Sequence, residues 1–285
     1  MKKIIVLFVL SFIILLSSCG FNMVSVGRYD DSEKYSIGSQ EYYGELQQLY
    51  ISWLSGSVTL IEDETLNKMI VIEENDLTDD KKVHSLFENN TLYIQYAEAN
   101  FYGNIDNTKK NLILKYNPVT YIDIHVTSGT IISDKISAET VNISFTSGDV
   151  EIKELQADNL DLTFTSGNVK IEELHANDLD ITYTSGSVEI DQLYVNDADI
   201  SYTSGSSDVS LNDCKKLVLD MTSGTSHLKI RDDIATKVKV DKTSGSFKST
   251  KTATIIDDEY TFGPIGQEIK MIIEIDFTSG KVYIE

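Results

Sequence analysis

The side chains able to do chemistry here are mostly carboxylates. The 285 residues hold 45 Asp and Glu against 24 Lys and Arg, a formal charge of −21, with only four His and two Cys. Asp123, Asn142, Asp161, Asp180 and Asp199 recur at a spacing of 19. If the chain stacks in register, such a column sets carboxylates ~4.8 Å apart, where they repel unless screened or bridged. Hard cations take oxygen ligands of this kind, so Asp123, Asp161, Asp180 and Asp199 are candidate positions for calcium. Asp158-Asn159, Asn177-Asp178 and Asn196-Asp197 line a neighbouring corner. The competing reading is a solvated acidic face with Asx turns, and the glycine-rich nonapeptide of calcium-binding β-rolls is absent.

Other chemistry finds less support. His84, His125, His175 and His227 share no ligand spacing, so zinc and copper are not expected. Glycoside hydrolysis needs two carboxylates at a set distance, but with so many acids a pair carries no information. A lyase would want a base against an acidic sugar proton, and the chain has only two arginines, Arg28 and Arg231. No glycine-rich loop links a strand to a helix for phosphate. The charge opposes nucleic-acid binding, which draws its affinity from Lys and Arg. The expectation is a protein that is not an enzyme, with no catalytic residues and no cofactor beyond the calcium the aspartate column could take.

The elements that must position these side chains follow from one tripeptide. Thr-Ser-Gly starts at residues 127, 146, 165, 184, 203, 222, 243 and 278, the first six starts 19 apart. A fixed period of this size means stacked copies of one small unit. Around Thr184, the apolar residues Leu179, Ile181 and Tyr183, then Val188 and Ile190, then Leu193 and Val195 alternate within each group and slip between groups. Each group reads as a short strand with one buried face, and three slips per period predict three corners. Glycine at Gly186 serves one corner, and Asn196-Asp197 another. The columns persist from copy to copy: Phe145, Phe164, Tyr183 and Tyr202 precede Thr, and Val150, Val169 and Val188 follow the turn. The fold expected is an all-β, right-handed parallel β-solenoid of about 19 residues per coil, right-handed by the crossover preference, with irregular capping ends. Its corner Thr and Ser columns are expected to form hydroxyl ladders.

The front of the chain reads as an address. Lys2 and Lys3 precede an apolar run from Ile4 to Leu16, too short to span a bilayer and suited to a signal peptide. Leu16-Ser17-Ser18-Cys19 resembles the bacterial lipobox, which implies lipidation of Cys19 and a lipid-anchored protein on the outer side of the cell membrane. Cys214 is then the one cysteine of the body, in a column of small apolar residues, and a buried inert thiol is expected. The domain reading is 1–19 signal peptide, 20–39 flexible tether, 40–120 irregular β region and cap, 121–249 regular repeats, and 250–285 a hairpin and final coil. Leu54-Ser55-Gly56 reads as a degenerate first copy of the tripeptide, and Ile255–Phe262 and Ile269–Phe277 read as the two arms of the hairpin.

The recurrent Ser-Gly-x-Val-x-Ile unit, as in Ser185-Gly186-Ser187-Val188-Glu189-Ile190, resembles the bacterial putative-adhesin family of β-strand repeats, a domain of unknown function. The resemblance covers roughly residues 41–285. It implies a β-solenoid with a non-catalytic surface role and brings no catalytic residues. The function expected is a lipid-anchored envelope module that binds or scaffolds an envelope or extracellular protein or glycan, with the membrane as a partner through its anchor. The alternative is a polysaccharide lyase or glycosidase on the same scaffold.

Overall fold

The computed structural model describes residues 23–74, 77–104, 110–256 and 259–285. The leader and Cys19 lie outside them. The strands are β1 (Met23–Ser25), β2 (Ser36–Ile37), β3 (Gln40–Tyr42), β4 (Gln48–Glu62), β5 (Met69–Glu73), β6 (His84–Glu88), β7 (Thr91–Gln95), β8 (Tyr102–Asn104) and β9 (Asn111–Tyr116). The long extended run β10 (Tyr121–Ile230) is followed by β11 (Thr236–Lys242), β12 (Ser246–Ser249), β13 (Thr254–Ile256), β14 (Glu259–Phe262), β15 (Met271–Phe277) and β16 (Lys281–Ile284). Among the described residues no helix is long and apolar enough to cross a membrane.

The body is all-β and its main ladders are parallel. β4 lies along the start of β10 with Asp123 opposite Tyr50 and Gly129 opposite Gly56, so Leu54-Ser55-Gly56 does occupy the tripeptide's place. Within β10, side chains 19 residues apart touch. Phe145, Phe164, Tyr183 and Tyr202 stack ring on ring at 4.6–4.7 Å. Asn177 donates to Asp158, and Asn196 to Asn177, each at 3.0 Å. The inward columns are buried throughout, from Leu49 and Trp53 to Val282 and Ile284. Each copy closes its core only against its neighbours, which is why alternation within the repeat suffices to specify it.

The corner hydroxyls bond differently from the ladders expected. Ser166 and Ser185 donate to the backbone carbonyls of Thr146 and Thr165, one copy back, at 3.5 and 3.4 Å. A carbonyl oxygen has two lone pairs and can take a hydroxyl beside a backbone N–H, as the Thr278 carbonyl does from both the Ser244 N–H and the Ser244 hydroxyl.

At both ends the spatial order departs from the chain order. β4 lies between β10 on one side and β7 with β9 on the other, although β7 and β9 come later in the chain. β15 and β16 likewise lie between β10 and the earlier strands β11 and β12. Antiparallel strands cover both ends: β6 and β5 on β7 and β9, and β14 then β13 on β11. The C-terminal hairpin is thus β13 with β14. The expected pairing of residues 255–262 with 269–277 does not form, because β15 carries the same inward columns as the repeats and joins the parallel ladder.

The segment expected as a flexible tether also differs. Within it, β1 pairs with β8 and β2 with β6, Val26 is buried, and the Tyr29 hydroxyl donates to the Ala97 carbonyl at 3.2 Å. Scattered apolar residues without a period pin residues 23–39 to the body.

Candidate functional site

The outward side chains of the first strand in each copy form a face three columns wide. Register places Tyr93, Tyr50 and Asp123 in one column, continuing through Asn142, Asp161, Asp180, Asp199 and Val218 to Glu274 and Lys239. Beside it run Tyr121, Thr140, Asn159, Asp178, Asp197 and Lys216, then Ile272 and Lys237. On the other flank are His125, Ser144, Thr163, Thr182, Ser201 and Asp220, then Asp276. Alternation in each strand aims all three columns outward while the residues between them fill the core.

The middle of this face is concave. A depression of about 440 Å³ is lined by Asp161, Asp178, Asp180, Asp197, Asp199 and Lys216. The structure therefore brings three of the four candidate aspartates into one hollow and leaves Asp123 nearer the tyrosines. Each aspartate is served from within its own copy. Thr163 donates to Asp161 at 3.0 Å, Thr182 to Asp180 at 3.2 Å and Ser201 to Asp199 at 3.0 Å. On other faces, acids meet bases across copies, as in Lys153–Asp134, Lys170–Glu189 and Lys229–Asp208. The carboxylates are spread along the axis, and among the described residues no three His, Cys, Asp or Glu side chains are grouped to hold a metal ion.

At one margin, Tyr50 stacks on Tyr93 at 5.3 Å and packs on Tyr121 at 5.4 Å, and Asn142 donates to the Tyr121 hydroxyl at 2.9 Å. At the other, Lys216 pairs with Glu274 at 2.9 Å. Sequence reasoning missed this tyrosine ladder, because Tyr50 and Tyr93 fall outside the 19-residue period. It also missed the depression.

Burial raises the pKa of Asp123, and burial followed by the charges of neighbouring aspartates raises those of Asp180 and Asp220. A carboxyl whose folded pKa lies above its unfolded one favours folding below the unfolded value and loses that contribution as pH rises through the folded value. The contribution of these groups to the melting temperature is therefore expected to fall as pH rises from about 4 through their folded pKa values. Asp180→Asn should shrink that fall, as read in a thermal scan across pH. A larger fall in the variant would refute the account.

Cys214 is buried, with its thiol directed at the Lys216 carbonyl at 3.3 Å and its pKa pushed up to about 12 by burial. This environment suits packing and opposes nucleophilic chemistry.

A search of curated proteins finds no match to the chain. Among solved structures, a putative lipid binding protein from Parabacteroides distasonis superposes with a TM-score of 0.57 at 15% identity, over 87% of this chain and 96% of that one. A putative adhesin from Parabacteroides merdae superposes with a TM-score of 0.51 at 14% identity, over 92% of this chain and 100% of that one. At such identities the likeness speaks for the fold alone, which is all-β and solenoid-like. The model of the Toastrack DUF4097 family matches residues 46–284, from just before β4 to the end of β16, and the chain belongs to that family.

Proposed function

We propose that this is a lipid-anchored protein of the bacterial cell envelope, exposed outside the cytoplasm, that acts as a non-catalytic, adhesin-like binding or scaffolding module. Its body in this reading is a right-handed parallel β-solenoid of 19 residues per coil, a rigid stand for an elongated binding face. The observation that carries the reading is the open depression whose aspartates Asp161, Asp180 and Asp199 form no salt bridge among the described residues, with the Tyr50, Tyr93 and Tyr121 ladder at its margin. Carboxylates accept hydrogen bonds from hydroxyls and amines, and tyrosine rings stack on sugars or anchor protein contacts. The partner is an envelope or extracellular protein or glycan. Names given to similar structures, an adhesin and a lipid-binding protein, agree with a binding role.

The test is capture from a native envelope fraction. The triple variant Asp161→Asn, Asp180→Asn, Asp199→Asn should lose a partner that the parent and a Glu151→Gln control retain. Equal capture by all three would remove the face from the function. In the same cells, Cys19→Ser should shift the protein out of the membrane fraction.

A carbohydrate-active enzyme is the second reading, because acids and one lysine do share a hollow. Against it, Lys216 is engaged by Glu274, and Asp161, Asp180 and Asp199 repeat one hydroxyl-bonded arrangement. Product release from envelope polysaccharide, abolished by Asp180→Asn, would favour it.

A further inference from the structure

The β13 end of the stack differs from the rest of the surface. Among the described residues β13 is the outermost strand of the fourteen-stranded sheet and pairs with β14 alone, which leaves one edge of its backbone without a strand. Ile255 is 60% exposed, Ile256 66%, and Ile265 in the turn after β14 92%. The nearby free edge of β12 is flanked by Lys242, Lys248 and Lys251, like charges that keep such edges apart. Thr254-Ile255-Ile256 itself carries no charge, and the charges in the sequence on either side of it, Lys251 before and Asp257 and Asp258 after, are of opposite sign.

Charge decides what can approach. Residues 120–230 hold 19 acids and six bases, and residues 23–119 hold 16 and eight. Residues 231–285 hold ten and eight, so this end alone is close to neutral. Two copies of so acidic a chain repel along their lengths and least of all here. A free edge of β-branched residues is completed by another strand, and an antiparallel pair about a two-fold axis puts the same side chains of both copies together.

We propose that β13 is a self-association surface, on which a second copy pairs its own β13 antiparallel and packs its Ile255 and Ile256 against these. β7, β6 and β2 lie at the other end of the sheet from β13, so such pairing joins two copies by the ends farthest from those strands. The patch is small, and the dimer is one that forms at high local concentration, as on a crowded membrane. The inference is independent of the aspartate face but rests on the lipid anchor proposed above, which flotation of the parent with the vesicles checks separately.

The test is disulfide trapping in the full chain, reconstituted in phosphatidylcholine vesicles. Ile256→Cys should give a covalent dimer several-fold above the background set by the parent, which carries Cys19 and Cys214. Ile132→Cys, also exposed but mid-stack, should stay at background. Adding Ile255→Lys to Ile256→Cys should abolish the dimer while leaving the melting temperature unchanged. Equal trapping at both positions, or trapping at neither, would overturn the proposal. So would flotation with phosphatidylglycerol vesicles that Ile265→Ser abolishes while Ile256→Cys stays monomeric, since the isoleucines would then belong to a membrane contact.

Discussion

Lys110→Met is expected to destabilise the protein by about 3–5 kcal/mol, the cost of leaving a buried charge without its partner. Lys110 stands opposite Gly56, in the slot that glycine fills in the regular copies, and its side chain turns into the core. It is 0% exposed, and its ammonium pairs at 3.0 Å with Glu73, itself 3% exposed. The same nitrogen donates to the carbonyls of Tyr96 and Lys81 and lies 4.5 Å from the Tyr96 ring and 5.2 Å from the Trp53 ring. Glu73 in turn accepts from the Val83 N–H at 3.1 Å with each oxygen. One ammonium thus ties β5, the end of β7 and the chain before β6 to the core. Removing it strands Glu73, whereas Lys110→Met with Glu73→Gln together should recover most of the loss. Urea denaturation of the two variants makes the comparison, and equal losses would refute a paired role.

The same lysine predicts a pH dependence. Burial outweighs the pull of Glu73 and brings its pKa down to about 8. Between about 8 and the unfolded value near 10.4 the unfolded chain binds the extra proton, so this group's contribution to stability rises with pH across that window. Tyr183 and Tyr116, both pushed up by burial, act oppositely above about pH 10, where the unfolded chain loses phenolic protons first. Wild type should gain stability from pH 8 to 9.5 and lose it beyond 10, and Lys110→Met should lack the gain.

Gly186→Ala should be as damaging, for a different reason. At Gly186, φ is +123°, and a β-carbon there would stand 1.9 Å from the Gly167 carbonyl oxygen. That neighbour is backbone and cannot swing away, and its own copy is fixed by Gly148 in the same manner. The substitution must pry two copies apart, and failure to accumulate as folded protein is expected, with any folded fraction melting well below the parent. Gly27→Ala, with nothing within 4 Å of the new carbon, should be neutral. If both variants melted together with the parent, the glycine column would not be the close approach described.

Much of this was legible in the sequence because a repeat writes its contacts as spacings. The Phe145–Tyr202 column, the aspartates and the degenerate tripeptide at Leu54 all follow from counting. Lys110 did not, since Lys109-Lys110-Asn111 contains no glycine to mark the corner. Periodicity also says which residues share a column without saying which copy lies next to which, so the exchanged order at the two ends was invisible. The depression among Asp161, Asp180 and Asp199 depends on how the outward side chains lie against each other, which no spacing encodes. Ser207 shows the limit from inside the repeat. It sits where Val188 sits one copy earlier, and it is buried against Ser226 at 2.7 Å. A polar residue at an apolar position looks like a lapse until its partner 19 residues on is matched to it.

The placement of β16 between β10 and β12 bears on mechanical load. In a stack wound in chain order, tension on the last strand would strip it from a single neighbour, rung by rung, like tape from a roll. Here β15 and β16 are each held on both edges, so a pull on the chain beyond Ile284 must shear two ladders at once before anything unravels. The weakest grip of such a stack lies elsewhere than at its tail.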